Sequence, residues 1–152
     1  MGSLEAAYDA NYLALLRMAV LLTDDQGQAE DLVQEAFIRS AARLEGLSRD
    51  EAKPYLRAAI LNLWRNRLRH LAVERRHASA VEGIGEAPGF EERMAMWELV
   101  ATLPPRQRAC LVLRFYEDLP VDQTAQLLGC SQGTVKSQTS RAIERLRQEW
   151  KP

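Results

Sequence analysis

Short polar and basic side chains near the C-terminus have the types and spacing that suit contact with DNA. Gly129 fits the left-handed turn that ends one helix, and Ser131 is placed to cap the next by accepting a backbone N–H. The positive N-terminal end of such a helix and its short polar side chains suit an approach to phosphates and base edges in the major groove. The candidate DNA contacts are Ser131, Thr134, Lys136, Ser137, Gln138 and Arg141. An ordinary helical hairpin with a solvated basic face is the alternative interpretation.

A second polar face lies in the first third of the chain and is acidic. Residues 24–35 contain five Asp or Glu side chains and no Lys or Arg. Helical periodicity turns Leu32, Ala36 and Phe37 toward a hydrophobic core, which leaves one face polar. The residues on that face are Asp31, Gln34 and Glu35. The face is either solvated, as most acidic faces are, or it binds a partner other than DNA.

The elements that would carry these faces are helices, because no convincing run of alternating strand residues occurs. We predict an all-α fold of two small helical domains joined by a flexible linker. The predicted helices are residues 4–22, a second helix that residues 23–25 cap and that ends near 44, and then 54–71, 94–103, 106–116, 120–128 and 132–150. Residues 45–53 are predicted as a loop, with Pro54 in the first turn of the third helix. In the first helix, Tyr8 and Tyr12 fall on the predicted buried stripe.

The apolar pattern lapses between residues 73 and 90, where three glycines and one proline accumulate. Glycine and proline at such density are typical of a linker. We therefore predict one domain over residues 1–72, a linker over 73–91 and a second domain over 92–152. The acidic face belongs to the first domain and the helix-turn-helix to the second.

Composition argues against several classes of protein. Two cysteines and two histidines stand at spacings that match no disulfide framework, metal site or redox pair. We therefore expect structural roles for Cys110, Cys130, His70 and His77, and no cofactor. No nucleophile–base pair or phosphate loop occurs, which argues against an enzyme. No apolar run reaches the roughly 20 residues of a membrane-spanning helix and no signal peptide is visible, so we expect a cytoplasmic protein.

The charge of the chain is nearly balanced overall but unevenly distributed. The net charge is −1 and the pI is about 6.2, whereas stand-alone nucleic-acid binders typically have a pI above about 9. Residues 54–77 contain six arginines against one acid, and residues 136–151 contain five basic residues against two acids. We expect such a chain to bind DNA weakly alone and to depend on the binding energy of a larger partner.

The two polar faces, in this order and at this spacing, resemble the extracytoplasmic-function group (group four) of bacterial sigma factors in the sigma-70 family. The run 30–37 is similar to the region-two helix that docks on the β′ clamp of core RNA polymerase. The runs 103–108 and 133–137 are similar to region four, which reads the upstream (−35) promoter element. The resemblance covers about residues 4–150 and implies a promoter-specificity subunit of RNA polymerase that promotes transcription initiation.

The resemblance places recognition of the downstream (−10) element on residues 45–53 and on the helix after them. Unpaired bases need aromatic platforms, and their backbone needs cations that follow it. The residues that offer this chemistry are Arg49, Lys53, Tyr55, Asn62, Arg65, Asn66 and Arg69. Trp64 is also aromatic, but we expect a tryptophan in this helix to pack in the core.

The sequence departs from the family pattern at positions that read DNA. The usual Arg-Leu after the Lys-Ser pair is Gln138-Thr139 here, a variant similar to an actinobacterial, SigE-like subgroup. Tyr55 stands where the family carries Trp, and Asn66 where it carries an acid. We expect Gln138 to read bases differently from an Arg, so the promoter preference does not follow from the resemblance.

The partners that the resemblance implies are core RNA polymerase, through its β′ clamp and β flap, promoter DNA, and an anti-sigma factor. The free protein is expected to be a monomer that is not inserted in a membrane. Three other classes stay open on the residues alone. They are a stand-alone helix-turn-helix regulator, which would need dimerisation on paired half-sites, a small helical enzyme, and a module that docks on polymerase without starting transcription.

Overall fold

The computed structural model describes residues 4–74 and 91–150, and every regular element within them is a helix. The chain forms two compact units. The first contains most of α1 (Leu4–Thr23), with α2 (Gln26–Leu44) and α3 (Arg49–Glu74). The second contains α4 (Glu91–Ala101), α5 (Pro105–Leu111) continued by a π-helical turn (Val112–Tyr116), α6 (Val121–Leu128) and α7 (Gln132–Glu149). The prediction of an all-α chain with two small helical domains is confirmed.

The ends of the predicted linker are helical, because α3 extends to Glu74 and α4 begins at Glu91. Residues 75–90 of that linker lie outside the described residues. The domain boundaries 1–72, 73–91 and 92–152 therefore stay a prediction.

The first unit is built around the packing of α2 against α3. Leu32 of α2 and Leu56 and Ile60 of α3 are inaccessible to solvent, as their helical spacing predicts. Asp25 begins α2, since its carboxylate accepts the backbone N–H of Gln28 at 3.0 Å. The predicted cap of the second helix is thus confirmed, and it fixes where the acidic face starts.

The predicted loop over residues 45–53 is wrong from Arg49 onward, because α3 begins there. Ser48 and Glu51 form a reciprocal cap in which the Glu51 carboxylate accepts the Ser48 N–H at 2.9 Å and the Glu51 N–H donates to the Ser48 carbonyl at 3.1 Å. The hydrogen bonds with Ser48 lower the pKa of the Glu51 carboxyl. Pro54 consequently lies in the second turn of α3 and not in the first, where its missing N–H costs the helix one backbone hydrogen bond.

The second unit packs α7 against both α5 and α6. Val100, Leu103, Leu111 and Ala142 form its buried cluster, and Trp97 and Leu146 pack on the outside of that cluster. The helix predicted over residues 106–116 starts at Pro105 and ends in the π-helical turn, where the Glu117 N–H donates to the Val112 carbonyl at 2.9 Å. This packing leaves one side of α7 facing outward.

Candidate DNA and protein interfaces

The turn between α6 and α7 has the geometry that the sequence predicts. Gly129 has φ 66° and ψ 38°, the left-handed conformation that glycine adopts at the lowest cost. The Cys130 N–H donates to the Ala125 carbonyl at 3.1 Å and the Gly129 N–H to the Gln126 carbonyl at 3.3 Å. These bonds satisfy the last carbonyls of α6 and set the direction in which α7 begins.

Hydrogen bonds that involve three side-chain hydroxyls stabilise the start of α7. Ser131 Oγ accepts the Thr134 N–H at 3.0 Å and lies 2.9 Å from Thr134 Oγ1. Ser137 Oγ donates to the Thr134 carbonyl at 3.4 Å. Two of the predicted DNA contacts, Ser131 and Thr134, therefore also shape the helix end that they would present to DNA.

The outward side of α7 carries one polar stripe. Its members, at spacings of three and four residues, are Thr134, Ser137, Gln138 and Arg141. Ser137 and Arg141 are exposed and Gln138 is half-buried, while exposed Lys136 flanks the stripe. Val135, about 100° around the helix from Thr134, is fully buried. The stripe offers hydroxyl, amide and guanidinium groups over two helical turns, which is the chemistry that reads base edges and phosphates.

Three residues that sequence analysis did not single out position α6. The Arg114 Nη1 donates to the Leu119 carbonyl at 2.9 Å, and Asp118 has φ 58°, which non-glycine residues rarely adopt. The buried Thr124 Oγ1 donates to the Pro120 carbonyl at 2.9 Å. Asp before Leu-Pro is a recognisable turn signal, but no spacing rule shows which carbonyl an arginine reaches.

The predicted acidic face of α2 is at the surface. Asp31 and Gln34 are exposed and Glu35 is half-buried. Glu35 Oε2 lies 3.7 Å from Arg39 Nε, a surface ion pair one helical turn apart. Ile38 follows on the same side with 74% of its surface exposed. The face thus combines carboxylates and an amide with an exposed apolar side chain, which suits a protein partner better than a nucleic acid.

Two stacked tyrosines of α1 adjoin this face. The rings of Tyr8 and Tyr12 have centroids 4.6 Å apart, and the Tyr8 ring lies 5.1 Å from the Phe37 ring. The predicted burial of Tyr8 is wrong, since 39% of its surface is exposed, although its ring packs against Tyr12 and Phe37. Burial, and then the neighbouring Tyr8 and Glu30, raise the pKa of Tyr12, while a hydrogen bond with the Gln34 side chain acts in the opposite direction.

Four of the seven predicted −10 contacts lie on one exposed stripe of α3. They are Tyr55, Asn62, Asn66 and Arg69, at spacings of seven, four and three residues. The half-buried Arg65 flanks the stripe. Helical geometry puts Arg49 and Lys53 on the side of α3 that carries the buried Leu56, so the structure does not bring them to this stripe. Trp64 packs in the core as expected, with 4% of its surface exposed.

Both cysteines are free thiols. Burial raises the pKa of Cys110 to about 11, so this thiol stays protonated at neutral pH. Within residues 4–74 and 91–150, no group of three or more His, Cys, Asp or Glu side chains is arranged to hold a metal ion. Among the helices of the described part of the chain, none has the length and apolar character needed to cross a membrane.

Comparison with protein families gives one match in each unit. Residues 7–73 match the family model described as Sigma-70 region 2, which contains α2 and nearly all of α3. Residues 93–146 match the family model described as Sigma-70, region 4, which contains the turn between α6 and α7. Each candidate surface therefore lies within a matched region.

Named relatives match along most of the chain. The RNA polymerase sigma-E factor of Streptomyces avermitilis is 37% identical over 142 residues, which cover 90% of this chain and 78% of that protein. The ECF RNA polymerase sigma factor SigL of Mycobacterium tuberculosis is 31% identical over 158 residues, covering 95% of this chain and 86% of the relative. Among solved structures, the sigma factor RpoE in complex with the anti-sigma factor NepR from Bartonella quintana has a similar fold, with a TM-score of 0.71, 24% identity and coverage of 89% and 88%.

Proposed function

The chain belongs to the sigma-70 family of RNA polymerase sigma factors, which act in transcription initiation, and we propose that it is a promoter-specificity subunit in which each unit contacts one promoter element. The observation that carries the proposal is the position of its polar surfaces. The outward stripe of α7 lies in the region 4 match, and the acidic face of α2 lies in the region 2 match. Such a subunit leaves the chemistry to polymerase, so the protein is not itself an enzyme and works in the cytoplasm with polymerase and DNA.

In the second unit, α7 is the helix that enters the major groove of the −35 element. The Gln138 amide offers a donor and an acceptor side by side, which suits the edge of an adenine. Arg141 suits a phosphate or a guanine, and Lys136 on the flank suits a phosphate. Ser131, Thr134 and Ser137 contribute hydroxyls at the helix end, where the dipole favours phosphate.

In the first unit, the exposed stripe of α3 suits the unpaired strand of the −10 element. Tyr55 offers a ring on which a base stacks, and the side-chain amides of Asn62 and Asn66 can hydrogen-bond base edges. Arg69 and the flanking Arg65 supply charge for the backbone. Arg49 and Lys53 lie on another side of α3 and would contact phosphates outside the stripe.

The acidic face of α2 is the surface for core polymerase, on its β′ clamp, and the second unit contacts the β flap. Asp31 and Glu35 supply negative charge, Gln34 an amide and Ile38 an apolar contact, so the expected counterpart is basic with an apolar patch. An anti-sigma factor that covers this face or the α7 stripe would hold the protein inactive. The sigma factor RpoE of Bartonella quintana was solved in complex with an anti-sigma factor, NepR.

The charge balance explains why this function needs polymerase. With a net charge of −1, a free monomer gains little from phosphate neutralisation and counterion release. Once polymerase holds the protein, both promoter contacts become intramolecular, and two weak contacts suffice.

The test is run-off transcription with purified core polymerase on pooled genomic promoter fragments, with and without this protein. We expect discrete new transcripts whose start sites share a −10 and a −35 element. Polymerase binding without transcripts would instead identify a docking module, and neither binding nor transcripts would identify a stand-alone regulator.

A double charge-reversal variant tests whether the activity depends on the acidic face. Asp31→Lys with Glu35→Lys is expected to abolish both co-purification with core polymerase and transcript formation, with helicity by circular dichroism unchanged. The matched control, Glu45→Lys with Glu98→Lys, reverses two exposed acids outside the face and should still co-purify. Unchanged co-purification of the first variant would contradict the assignment of the face.

A further inference from the structure

The polar side of α7 continues beyond Arg141, the last of the DNA contacts assigned to this helix. Arg145 follows Arg141 by four residues and Gln138 by seven, so it lies within about 40° of both around the helix axis. Arg145 is exposed. It therefore extends the stripe that carries Thr134, Gln138 and Arg141 by one helical turn toward the C-terminus of α7.

The part of α7 that carries Arg145 is anchored by the core of the second unit. Ala142 is fully buried, and Leu146 packs against the buried cluster. The Trp150 N–H donates to the Leu146 carbonyl at 2.7 Å, and the helix continues to Glu149. Arg145 therefore extends from a regular helix that contacts the core both before and after it.

The charge of Arg145 is not paired within the described part of the chain. Its neighbour Glu144 lies 3.7 Å from Arg147 and accepts a hydrogen bond from the Gln148 side chain at 3.4 Å. Within residues 4–74 and 91–150, no hydrogen bond or ion pair engages the Arg145 guanidinium, and the exposed Glu149 one turn further makes none with it. The nearest carboxylate is thus engaged by other groups, and the positive charge of Arg145 is available to an anion from a partner.

The distance along α7 indicates which anion that is. At about 1.5 Å per residue, Arg141 lies about 10.5 Å along the axis from Thr134, and Arg145 about 16.5 Å. The major groove is about 12 Å wide and about 8.5 Å deep, so a helix whose first turn reaches the base edges carries Arg145 beyond them. In homeodomains, the C-terminal end of the recognition helix contacts the DNA backbone. A backbone phosphate is therefore the anion that Arg145 is expected to meet.

We propose that Arg145 binds a backbone phosphate at the edge of the −35 element, beyond the base pairs that the first turns of α7 read. The contact adds affinity and fixes how far α7 enters the groove, and it carries no sequence information of its own. Because it neutralises one more phosphate, it also makes promoter binding more dependent on salt. This inference rests on the proposed −35 contact of α7.

The test uses the full chain with core polymerase and a promoter fragment obtained from the run-off assay, and fluorescence anisotropy gives the dissociation constant. Single phosphates around the −35 element are replaced in turn by neutral methylphosphonates. We expect Arg145→Gln to weaken binding by roughly two- to fivefold, the range for an exposed ion pair. The slope of the logarithm of the binding constant against the logarithm of salt concentration should become shallower by about 0.9. At one position, the methylphosphonate should weaken binding of the unchanged protein but not of Arg145→Gln.

Arg147→Gln is the matched control, since it removes the same charge from the same helix at a position about 200° around the axis from Arg145. Arg147 is ion-paired with Glu144, and its variant should keep the dissociation constant and the salt slope of the unchanged protein. Arginine and glutamine have similar helix propensities, so circular dichroism should show equal helicity for both variants. Equal losses of binding in the two variants would mean that only net charge matters, which would overturn the proposed contact.

Base substitutions in the −35 element separate failure of this contact from failure of the function on which it rests. If they weaken binding but no methylphosphonate effect depends on Arg145, the phosphate contact is overturned and the −35 assignment of α7 stands. If neither base substitutions nor methylphosphonates around the element change binding, the assignment of α7 fails and the contact fails with it. A methylphosphonate effect that disappears in Arg145→Gln supports the contact.

Discussion

At the scale of single residues, some polar side chains of α7 hydrogen-bond within the helix start, and others face the solvent. Ser131 and Thr134 hydrogen-bond one another at the helix start. Lys136 and Arg141 are exposed, and the half-buried Gln138 lies between them. Base reading is therefore expected to depend on the amide of Gln138, and phosphate contact on the two cations.

Arg141→Ala is expected to reduce −35-dependent transcription by a similar factor on all promoters, because a phosphate contact carries no sequence information. Gln138→Ala should instead relax the preference at one base pair, by about 1–3 kcal/mol of discrimination. Run-off assays on promoters substituted base by base in the −35 element measure both effects. A change of base preference in Arg141→Ala would mean that Arg141 reads a base.

The buried thiol of Cys110 should be inert in the native protein. With its pKa raised to about 11, its thiolate fraction at pH 7 is lower than that of an ordinary cysteine by about 100-fold or more. We expect Ellman's reagent to label the half-buried Cys130 in the folded protein and Cys110 only after unfolding. Labelling of a Cys130→Ser variant isolates Cys110, and rapid reaction of its native form would contradict the burial.

The same thiol makes stability depend on alkaline pH. The thiol of the unfolded chain ionises near its ordinary pKa of about 8.5, whereas the folded one stays protonated up to about pH 11. The stability contributed by the protonated thiol is therefore complete below about pH 8.5 and is lost as the pH rises toward 11. Urea unfolding between pH 7 and 10.5 should show this decline, and Cys110→Ala should make it shallower.

At the scale of elements, the orientation of α7 depends on one glycine and one cap. Gly129→Ala would force a side chain into a left-handed conformation at φ 66°, at a cost of about 1–2 kcal/mol. Ser131→Ala removes the acceptor of the Thr134 N–H, at a cost of about 1 kcal/mol. Urea unfolding measures both losses.

Ser140→Ala is the control for these two variants, since Ser140 is an exposed interior residue of α7 and its change is expected to stay within about 0.5 kcal/mol. Gly129→Asn should cost less than Gly129→Ala, because asparagine tolerates the left-handed region. If Gly129→Ala and Gly129→Asn lower the free energy of unfolding equally, position 129 is limited by the space around the side chain and not by backbone conformation.

At the start of α3, the helix cap formed by Ser48 and Glu51 outweighs the residues that favour a loop. Gly46 and Ser48 interrupt the helical periodicity, which predicts a loop over residues 45–53, yet Ser48 and Glu51 stand at the spacing of a capping box. The cap contributes two hydrogen bonds between Ser48 and Glu51, one to the Glu51 carboxylate and one to the Ser48 carbonyl. Together they offset the single backbone hydrogen bond that Pro54 removes. Because the helix starts at Arg49, that residue and Lys53 lie on a different side from Tyr55.

At the scale of the whole molecule, charge decides how the protein reaches DNA. We expect the free protein to bind a promoter duplex with a dissociation constant no tighter than about 1 µM at physiological salt, the range of non-specific binding. Addition of core polymerase should tighten promoter binding by at least about 100-fold. Fluorescence anisotropy with labelled duplex measures both, and nanomolar binding by the free protein would contradict the need for polymerase.

The helical class, most helix ends, the turn at Gly129 and the polar stripes of α2 and α7 follow from local sequence patterns. These features depend on periodicity and on capping groups within a few residues of one another, so they can be recognised along the chain. Packing between helices placed the ring of Tyr8 in α1 against Phe37 in α2 and left 39% of the Tyr8 surface exposed. Such contacts join residues that are distant in sequence, and packing between helices selects them from many pairs that the same pattern allows.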